Sequence, residues 1–377
     1  MRVLFWTDWF LPSIGGVEVF SARLLPDLAR RGHAITVVAG HHQPGLPDEV
    51  DWDGVTVRRF LFHPVLAAGD VGRMTATLLE VARLKRALRP ELVHLNTLGP
   101  SVLFHLETAR RCPAPVLLTM HSPVMEDAVR MDTLYGRALR SADRVNCNSH
   151  AVRTDLCARV PEMKERSSVT YYGMDPPAAE PSPRPRDPPV ILGFGRLVRD
   201  KGFDLAVRAF GSVRRRFPRA RLVLAGEGAA RPGLEQLVAE LGLSESVSFL
   251  GAVPPDRVPA LLDAASVVIV PSRWSEPFGL VALEAALMAR PVVAARVGGL
   301  AEAVEDGTSG LLVEPESSVS LAEAMLYLLE NPVLADRMGS TARERALQQF
   351  SWGRCVDEYD RLYEMTGRVR AADGDAA

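Results

Sequence analysis

The chain of 377 residues has the length of two or three domains. Its 44 Lys and Arg against 46 Asp and Glu leave a net charge of −2, which supplies no field for gathering nucleic acid. Hydrophobic residues at 47% and charged residues at 24% exclude a disordered or fibrous chain. The first residues, Met1-Arg-Val-Leu-Phe-Trp, turn polar at Thr7 and Asp8. They are too short for a signal peptide and read as a strand over Val3–Trp6. A helix is predicted over Val17–Arg30 and strands over Ile35–Ala39 and Val55–Phe60. Between residues 73 and 89, Leu78, Val81, Leu84, Lys85 and Leu88 follow helical spacing, with Arg83, Arg86 and Arg89 around the rest of the circumference. Such a helix either packs on its own domain or lies on an anionic lipid surface. Strands over Leu92–Leu95, Val116–Met120 and Arg144–Asn148 follow, with helices between them.

The composition then breaks. Residues 176–189 hold seven prolines, which fix φ and remove amide donors, so this stretch is expected as a stiff linker. Alternation restarts with a strand over Val190–Phe194, a helix over Phe203–Arg216 and a strand over Arg221–Ala225. It continues through Leu234–Leu241, Val247–Leu250, Val258–Ala264, Val267–Val270, Leu280–Ala289 and Val292–Ala295. Arg343–Arg368 is expected as a helix and Asp373–Ala377 as a disordered tail. Strands alternating with helices imply two α/β halves with parallel, doubly wound sheets. Ligands of such sheets bind outside the carboxyl ends of the strands, and halves that face each other would share one cleft. No apolar run is long enough to span a bilayer. The four cysteines form no C-x-x-C pair, so free thiols in a reducing compartment, the cytoplasm, are expected.

The strongest chemical signal is Glu276-Pro-Phe-Gly-Leu-Val-Ala-Leu-Glu284. Glu284 falls on the apolar stripe of the helix that starts near Phe278 and Gly279. A lone carboxylate there is costly unless hydrogen-bonded, either by the vicinal hydroxyls of a ribose or by a core arginine. The amides of Phe278, Gly279 and Leu280 stand at the helix start, where an anion is favoured. Glu276 is either a favourable charge at that helix end or an acceptor for sugar hydroxyls. Arg196 and Lys201 follow the first strand of the second half, where they either neutralise a diphosphate or stay solvated. Gly15-Gly16 before the first helix is an anion-tolerant loop or a plain tight turn. His121 follows a strand and either points into the cleft or is structural. Asp51-Trp-Asp53 has a cation-binding form, yet a turn into the next strand explains it, and no metal site is expected.

Taken in order, these pieces resemble the retaining, nucleotide-sugar-dependent glycosyltransferases of family 4. The resemblance covers essentially the whole chain. It runs through Pro12-x-x-Gly15-Gly16-x-Glu18, Thr119-x-His121, Gly195-Arg196-Leu197 with Asp200-Lys201-Gly202, and Gly226-Glu227-Gly228. It continues with Phe249-Leu-Gly251-x-Val253, Glu276-x7-Glu284, and Gly298-Gly299-x-x-Glu302 with Gly307-x-x-Gly310. The resemblance implies a GT-B fold, two Rossmann-like domains facing an interdomain cleft. Residues 1–175 would form the acceptor-side domain, 176–189 the linker and 190–351 the nucleotide-sugar domain, with a C-terminal helix over 352–368 crossing back to the first. It places Gly16 at the donor phosphate, His121 at the transferred sugar and Arg196 and Lys201 on the diphosphate. Glu276 would bind sugar hydroxyls and Glu284 the ribose, while the amides of Phe278, Gly279 and Leu280 face the donor and Gly251 and Val253 contact the base. Two departures stand out. Tyr172-Gly173-Met174-Asp175 replaces a segment that usually begins with Asn, and Met288-Ala-Arg290 lacks the glycine that usually ends the helix.

The implied activity is retaining transfer of a hexosyl group from a UDP-sugar, or GDP-mannose, to an unidentified acceptor hydroxyl in bacterial glycan, glycolipid or small-molecule glycoside synthesis. No cofactor or metal is implied beyond the nucleotide sugar itself, and no nucleic-acid partner. A site on the inner membrane face, reached through residues 73–89, accompanies the cytoplasmic expectation. A nucleotide-sugar epimerase of the same fold and a non-catalytic nucleotide-sugar-binding protein are the alternatives. A nicotinamide oxidoreductase is set aside, because Val198 stands where the third glycine after Gly193-Phe-Gly195 would belong.

Overall fold

The structure, a computed structural model, describes residues 1–13, 15–124 and 130–368. The expected tail Asp373–Ala377 lies outside the described residues. The chain divides into two compact units, Met1–Thr170 with the residues from Cys355 onward, and Tyr171–Arg354.

The first unit begins β1 (Arg2–Trp6), α1 (Gly16–Arg30), β2 (Ala34–Gly40), β3 (Glu49–Trp52), β4 (Val55–Phe60), α2 (Phe62–Ala68) and α3 (Val71–Leu88). It continues β5 (Leu92–Leu95), α4 (Val102–Ala109), β6 (Val116–Met120), α5 (Leu134–Ser141), β7 (Arg144–Cys147), α6 (His150–Arg159) and β8 (Ser167–Val169). The sheet order is β3-β4-β2-β1-β5-β6-β7-β8. Its interior strands are near-continuous apolar runs buried on both faces, as a parallel sheet requires. One edge departs from the all-parallel expectation, since β3 runs antiparallel to β4. Asp53 and Gly54, both at positive φ, make the tight turn between them. The Asp51 carboxylate accepts from the Gly54 amide at 3.1 Å and Asp53 pairs with Arg30 at 2.6 Å, so both are engaged in the hairpin. The apolar stripe of α3 is turned inward. Val81 is buried, Leu78, Leu84 and Leu88 pack on the core, and Arg73, Arg83 and Arg86 face outward.

The second unit contains β9 (Val190–Phe194), α7 (Phe203–Arg216), β10 (Arg221–Ala225), α8 (Arg231–Glu240), β11 (Val247–Gly251), α9 (Val258–Asp263) and β12 (Val267–Val270). It ends α10 (Leu280–Leu287), β13 (Val292–Ala295), α11 (Leu300–Ala303), β14 (Gly310–Val313), α12 (Ser318–Glu330) and α13 (Pro332–Gln349). The sheet is parallel throughout, in the order β11-β10-β9-β12-β13-β14. Ala289 takes the left-handed turn after α10 that a glycine would adopt more cheaply. The next residue, Arg290, is buried and donates to the carbonyls of Leu262 and Asp263 at 3.0 and 2.8 Å.

The proline-rich residues expected as a linker are fastened along the second unit. Arg184 is buried and pairs with Asp336 at 2.8 Å, and Ser182 donates its amide to Asp263 at 2.8 Å. Ser266 Oγ donates to the Pro185 carbonyl, also at 2.8 Å. Beyond α13, the single helix expected over Arg343–Arg368 is two. The chain breaks at Phe350 and Ser351, where Met174 and Ser351 form a short parallel bridge, and resumes as α14 (Trp352–Gly367). From Cys355 on, α14 belongs to the first unit. Asp360 accepts from Arg31 at 3.2 Å and meets His33 at 2.7 Å, and Arg31 also pairs with Asp357. The Tyr363 hydroxyl meets buried His94 at 2.9 Å, and the other nitrogen of His94 meets Thr119 Oγ1 at 2.7 Å. Burial pushes His94 down to about 3, so it is neutral. None of the helices is long and apolar enough to cross a membrane among the described residues.

Candidate active site

In the second unit, the residues singled out from the sequence lie on loops at the carboxyl ends of β11, β10, β9 and β12, or on α10. Hydrogen bonds between loops hold this rim. Gly195 donates to Ala225 at 2.9 Å, Leu197 to Glu227 at 2.8 Å and Gly226 to Gly251 at 2.7 Å. Gly202 has φ 67°, and a side chain there would run into the Pro271 carbonyl. Only glycine therefore lets the loop after β9 close on the loop after β12. That closure brings Lys201 Nζ onto Glu276 Oε1, which also accepts from Ser272 Oγ at 2.6 Å. Glu276 is 6% exposed, so a lysine and a serine together compensate its burial. Arg273, beside it in sequence, is clamped by Asp204 at 2.5 and 2.8 Å and by Glu316 at 2.8 Å. These carboxylates hold its guanidinium firmly charged.

Glu284 lies on α10, half-buried, and its carboxylate has no hydrogen bond or ion pair to any of the described residues. The core-arginine alternative is not what the structure shows. Arg290 is committed to Leu262 and Asp263 instead. Burial pushes the Glu284 carboxyl up to about 7. At the start of α10, Gly279 sits at φ 101° and the amides of Phe278, Gly279 and Leu280 donate to no acceptor among the described residues. The buried Phe278 ring is boxed by Tyr171, Tyr172 and Phe350 at 5.5, 6.0 and 5.3 Å, which fixes those amides in place. Tyr172, the departure noted in the sequence, thus contributes a wall of this box. Arg196 is exposed, and its guanidinium has no partner among the described residues. Gly251 has φ 72°, and Val253 is half-buried on the loop that follows.

In the first unit, His121 follows β6 and lines a cavity of about 400 Å³ together with Asn96, Thr97, Met120, Val124 and Tyr135. Burial pushes it down to about 4. Its tautomer follows from the neighbours. Ser21 Oγ donates to the Val17 carbonyl at 2.7 Å, so it can only accept from Asn96 Nδ2 at 3.0 Å. Asn96 Oδ1 then faces His121 Nε2 at 3.0 Å, and that nitrogen carries the proton. Gly16 opens α1, and a Cβ there would meet no atom of the described residues within 4 Å. Ser272, Asn96 and Ser21 escaped the sequence reading. Two of the three directly follow or closely follow a buried strand, and that position was the available signal.

Two family descriptions match the chain in succession, Glycosyltransferase Family 4 over residues 14–178 and Glycosyl transferases group 1 over residues 176–345. The D-inositol 3-phosphate glycosyltransferase of Kineococcus radiotolerans is 33% identical over 95% of this chain and 92% of its own. The glycogen synthase of Mycobacterium tuberculosis is 37% identical over 93% of this chain and 92% of its own. Among solved structures, Anabaena HepE in complex with UDP and glucose superposes with a TM-score of 0.79, covering 97% of this chain and 99% of that one at 23% identity. At that identity the likeness is one of fold, GT-B. With two Rossmann-like units and full-length relatives at this identity, the chain belongs to the group 1 glycosyl transferases of family 4 and is a glycosyltransferase.

Proposed function

We propose that the protein is a retaining, metal-independent hexosyltransferase of the cytoplasm that uses a UDP-sugar, with GDP-mannose the second choice of donor. The observation that carries the reading is the partnerless Glu284 beside the unengaged amides of Phe278, Gly279 and Leu280. A carboxylate and adjacent free donors match a ribose diol next to a diphosphate. Glu284 accepts from the ribose hydroxyls. The amides, Arg196 and Lys201 hold the diphosphate, and Gly16 leaves room at its phosphates. Gly251 and Val253 meet the base. Glu276, already fixed by Lys201 and Ser272, accepts from hydroxyls of the sugar, and His121 hydrogen-bonds that sugar near its reacting carbon.

In the reaction the bond from the anomeric carbon to the leaving phosphate oxygen breaks and the acceptor oxygen bonds to that carbon from the same face. The acceptor proton passes to the departing diphosphate, so charge and atoms balance. Positive charge at Lys201, Arg196 and the α10 amides stabilises the leaving group. The UDP held by HepE supports the donor preference. One relative named above is an inositol 3-phosphate glycosyltransferase and the other a glycogen synthase, two different activities that single out no acceptor for this chain. Calorimetric titration with UDP-glucose, UDP-N-acetylglucosamine and GDP-mannose tests the reading. Binding of a UDP-sugar with turnover undisturbed by EDTA supports it. Tighter binding of GDP-mannose, or activity that EDTA abolishes, overturns the donor or the metal assignment.

A further inference from the structure

In the second unit, two short segments are tied side by side, Lys201-Gly-Phe-Asp204 and Arg273-Trp-Ser-Glu276. Each carries a cation and a carboxylate three residues apart, in opposite order. Lys201 pairs with Glu276 and Asp204 with Arg273, so the segments are joined by two ion-pair rungs of crossed sign. Charge alone excludes the wrong pairing, because Lys201 against Arg273 and Asp204 against Glu276 would both repel. The first rung belongs to the candidate site. The second stands beside it.

Arg273 does more than hold Asp204. Its guanidinium forks onto both Asp204 oxygens at 2.5 and 2.8 Å, and its Nη1 also donates to the Arg199 carbonyl at 3.1 Å. Its Nε donates to Glu316, on the loop after β14, at 2.8 Å. Its backbone amide donates to the Asp200 carbonyl at 2.8 Å. Arg199, Asp200 and Lys201 form a single 3-10 turn after β9 that buries none of its residues. Core packing therefore does not fix this turn, and Arg273 holds two of its carbonyls instead. A lysine is a point charge on a flexible stem, so where its ammonium lies depends on where its backbone is held. Removal of Arg273 would release the turn. It would also leave the Asp204 carboxylate three residues from Lys201 without its bidentate partner, as a rival to a bound diphosphate for the ammonium.

We infer that Arg273 is a positioning residue for the transfer reaction: it presents Lys201 to the donor diphosphate and keeps Asp204 from claiming it. This rests on the proposed diphosphate role of Lys201. Calorimetric titration with UDP tests it, because UDP carries no transferred sugar for Glu276 to hold. The parent, Arg273→Gln, Lys201→Ala and the double variant form a cycle. Arg273→Gln is expected to weaken UDP binding about tenfold in the parent and less than about twofold where residue 201 is already alanine, the coupling of two residues in one ion-pair network. Arg273→Lys keeps a charge opposite Asp204 but loses the planar fork. It is the milder variant should Arg273→Gln fail to fold, and its expected loss is about threefold with the same dependence on Lys201. Equal losses with and without Lys201 would make Arg273 a purely structural residue and overturn the inference. So would parental UDP affinity in an Arg273 variant whose melting curve is normal. If Lys201→Ala binds UDP as the parent does, the diphosphate role of Lys201 falls and takes the inference with it. UDP that does not bind the parent at all defeats the donor reading and the inference together.

Discussion

Glu284 carries a testable pH signature. Its folded pKa near 7 lies above the ordinary 4.5, so the folded protein holds more protons between those values. The contribution of Glu284 to stability is therefore full below pH 4.5, falls as pH rises to 7 and stays lost above it, about 3 kcal/mol in all. Glu284→Gln removes that fall, and thermal melts from pH 4.5 to 8 will show it as a variant that gains on the parent at the alkaline end. The same substitution is expected to weaken UDP binding by about 10–100-fold at pH 8, because a hydrogen bond to a charged acceptor is worth about 1.5–3 kcal/mol. UDP affinity equal to the parent's would remove the ribose role. Lys201→Ala should reduce turnover by roughly 10²–10³, the effect of deleting one preorganised donor from a developing anion. Retention of most activity in UDP-release assays would leave Lys201 as a structural partner of Glu276 alone. These carboxylates and cations were legible because charge on an apolar stripe, or just past a strand, is conspicuous. Ser272 and Asn96 were not, because a small polar residue after a strand is common and only its partners reveal its use.

Helix α3 shows how a single letter changes the reading of an element. Lys85 falls on the stripe that otherwise reads as apolar, and it is buried there without a carboxylate. Its ammonium meets Thr108 Oγ1 at 2.8 Å and the carbonyl and ring of His105 at 3.2 Å each, with the Trp6 ring at 5.7 Å. Burial lowers its pKa to about 7 from the usual 10.5. Below pH 7 the lysine is charged in both states and its burial costs the fold in full. Between pH 7 and 10.5 the unfolded chain binds more protons, so stability rises with pH. Lys85→Met should abolish that rise and stabilise the protein by about 1–4 kcal/mol at pH 6, as replacing a buried charge by an apolar side chain often does. Urea unfolding at pH 6 and 9 measures both effects, and a variant less stable at pH 6 would contradict the argument. Most strands were readable because apolar runs between turns have few other meanings. The β3–β4 hairpin was hidden in a polar stretch, and the break before α14 depends on a backbone bridge to Met174, a contact far away in sequence.

At the scale of the molecule, the first unit is built from two separate parts of the chain. Its last helix is anchored by side chains far away in sequence. Arg31 and His33 meet Asp360, and His94 meets Tyr363. Truncation after Ser351 should therefore destabilise the first unit selectively, and a peptide of residues 352–367 added in trans should partly restore it. A melting curve identical to that of the full chain would refute the dependence. The doubling of the α/β pattern on either side of the proline-rich break announced two units from the sequence. That the proline-rich stretch clings to the second of them was not legible, because its anchor Arg184 reads as one more surface charge until Asp336 is seen beside it.

The divided first unit also has a consequence for biosynthesis. A ribosome finishes Thr170 and must then add 184 residues, from Tyr171 to Arg354, before the closing helix begins to emerge. At 5–20 residues per second this interval lasts roughly 10–40 s. Through it the nascent polypeptide presents the uncovered flank around His33 and His94, so the hazard of aggregation falls on the first unit while it waits for its last helix.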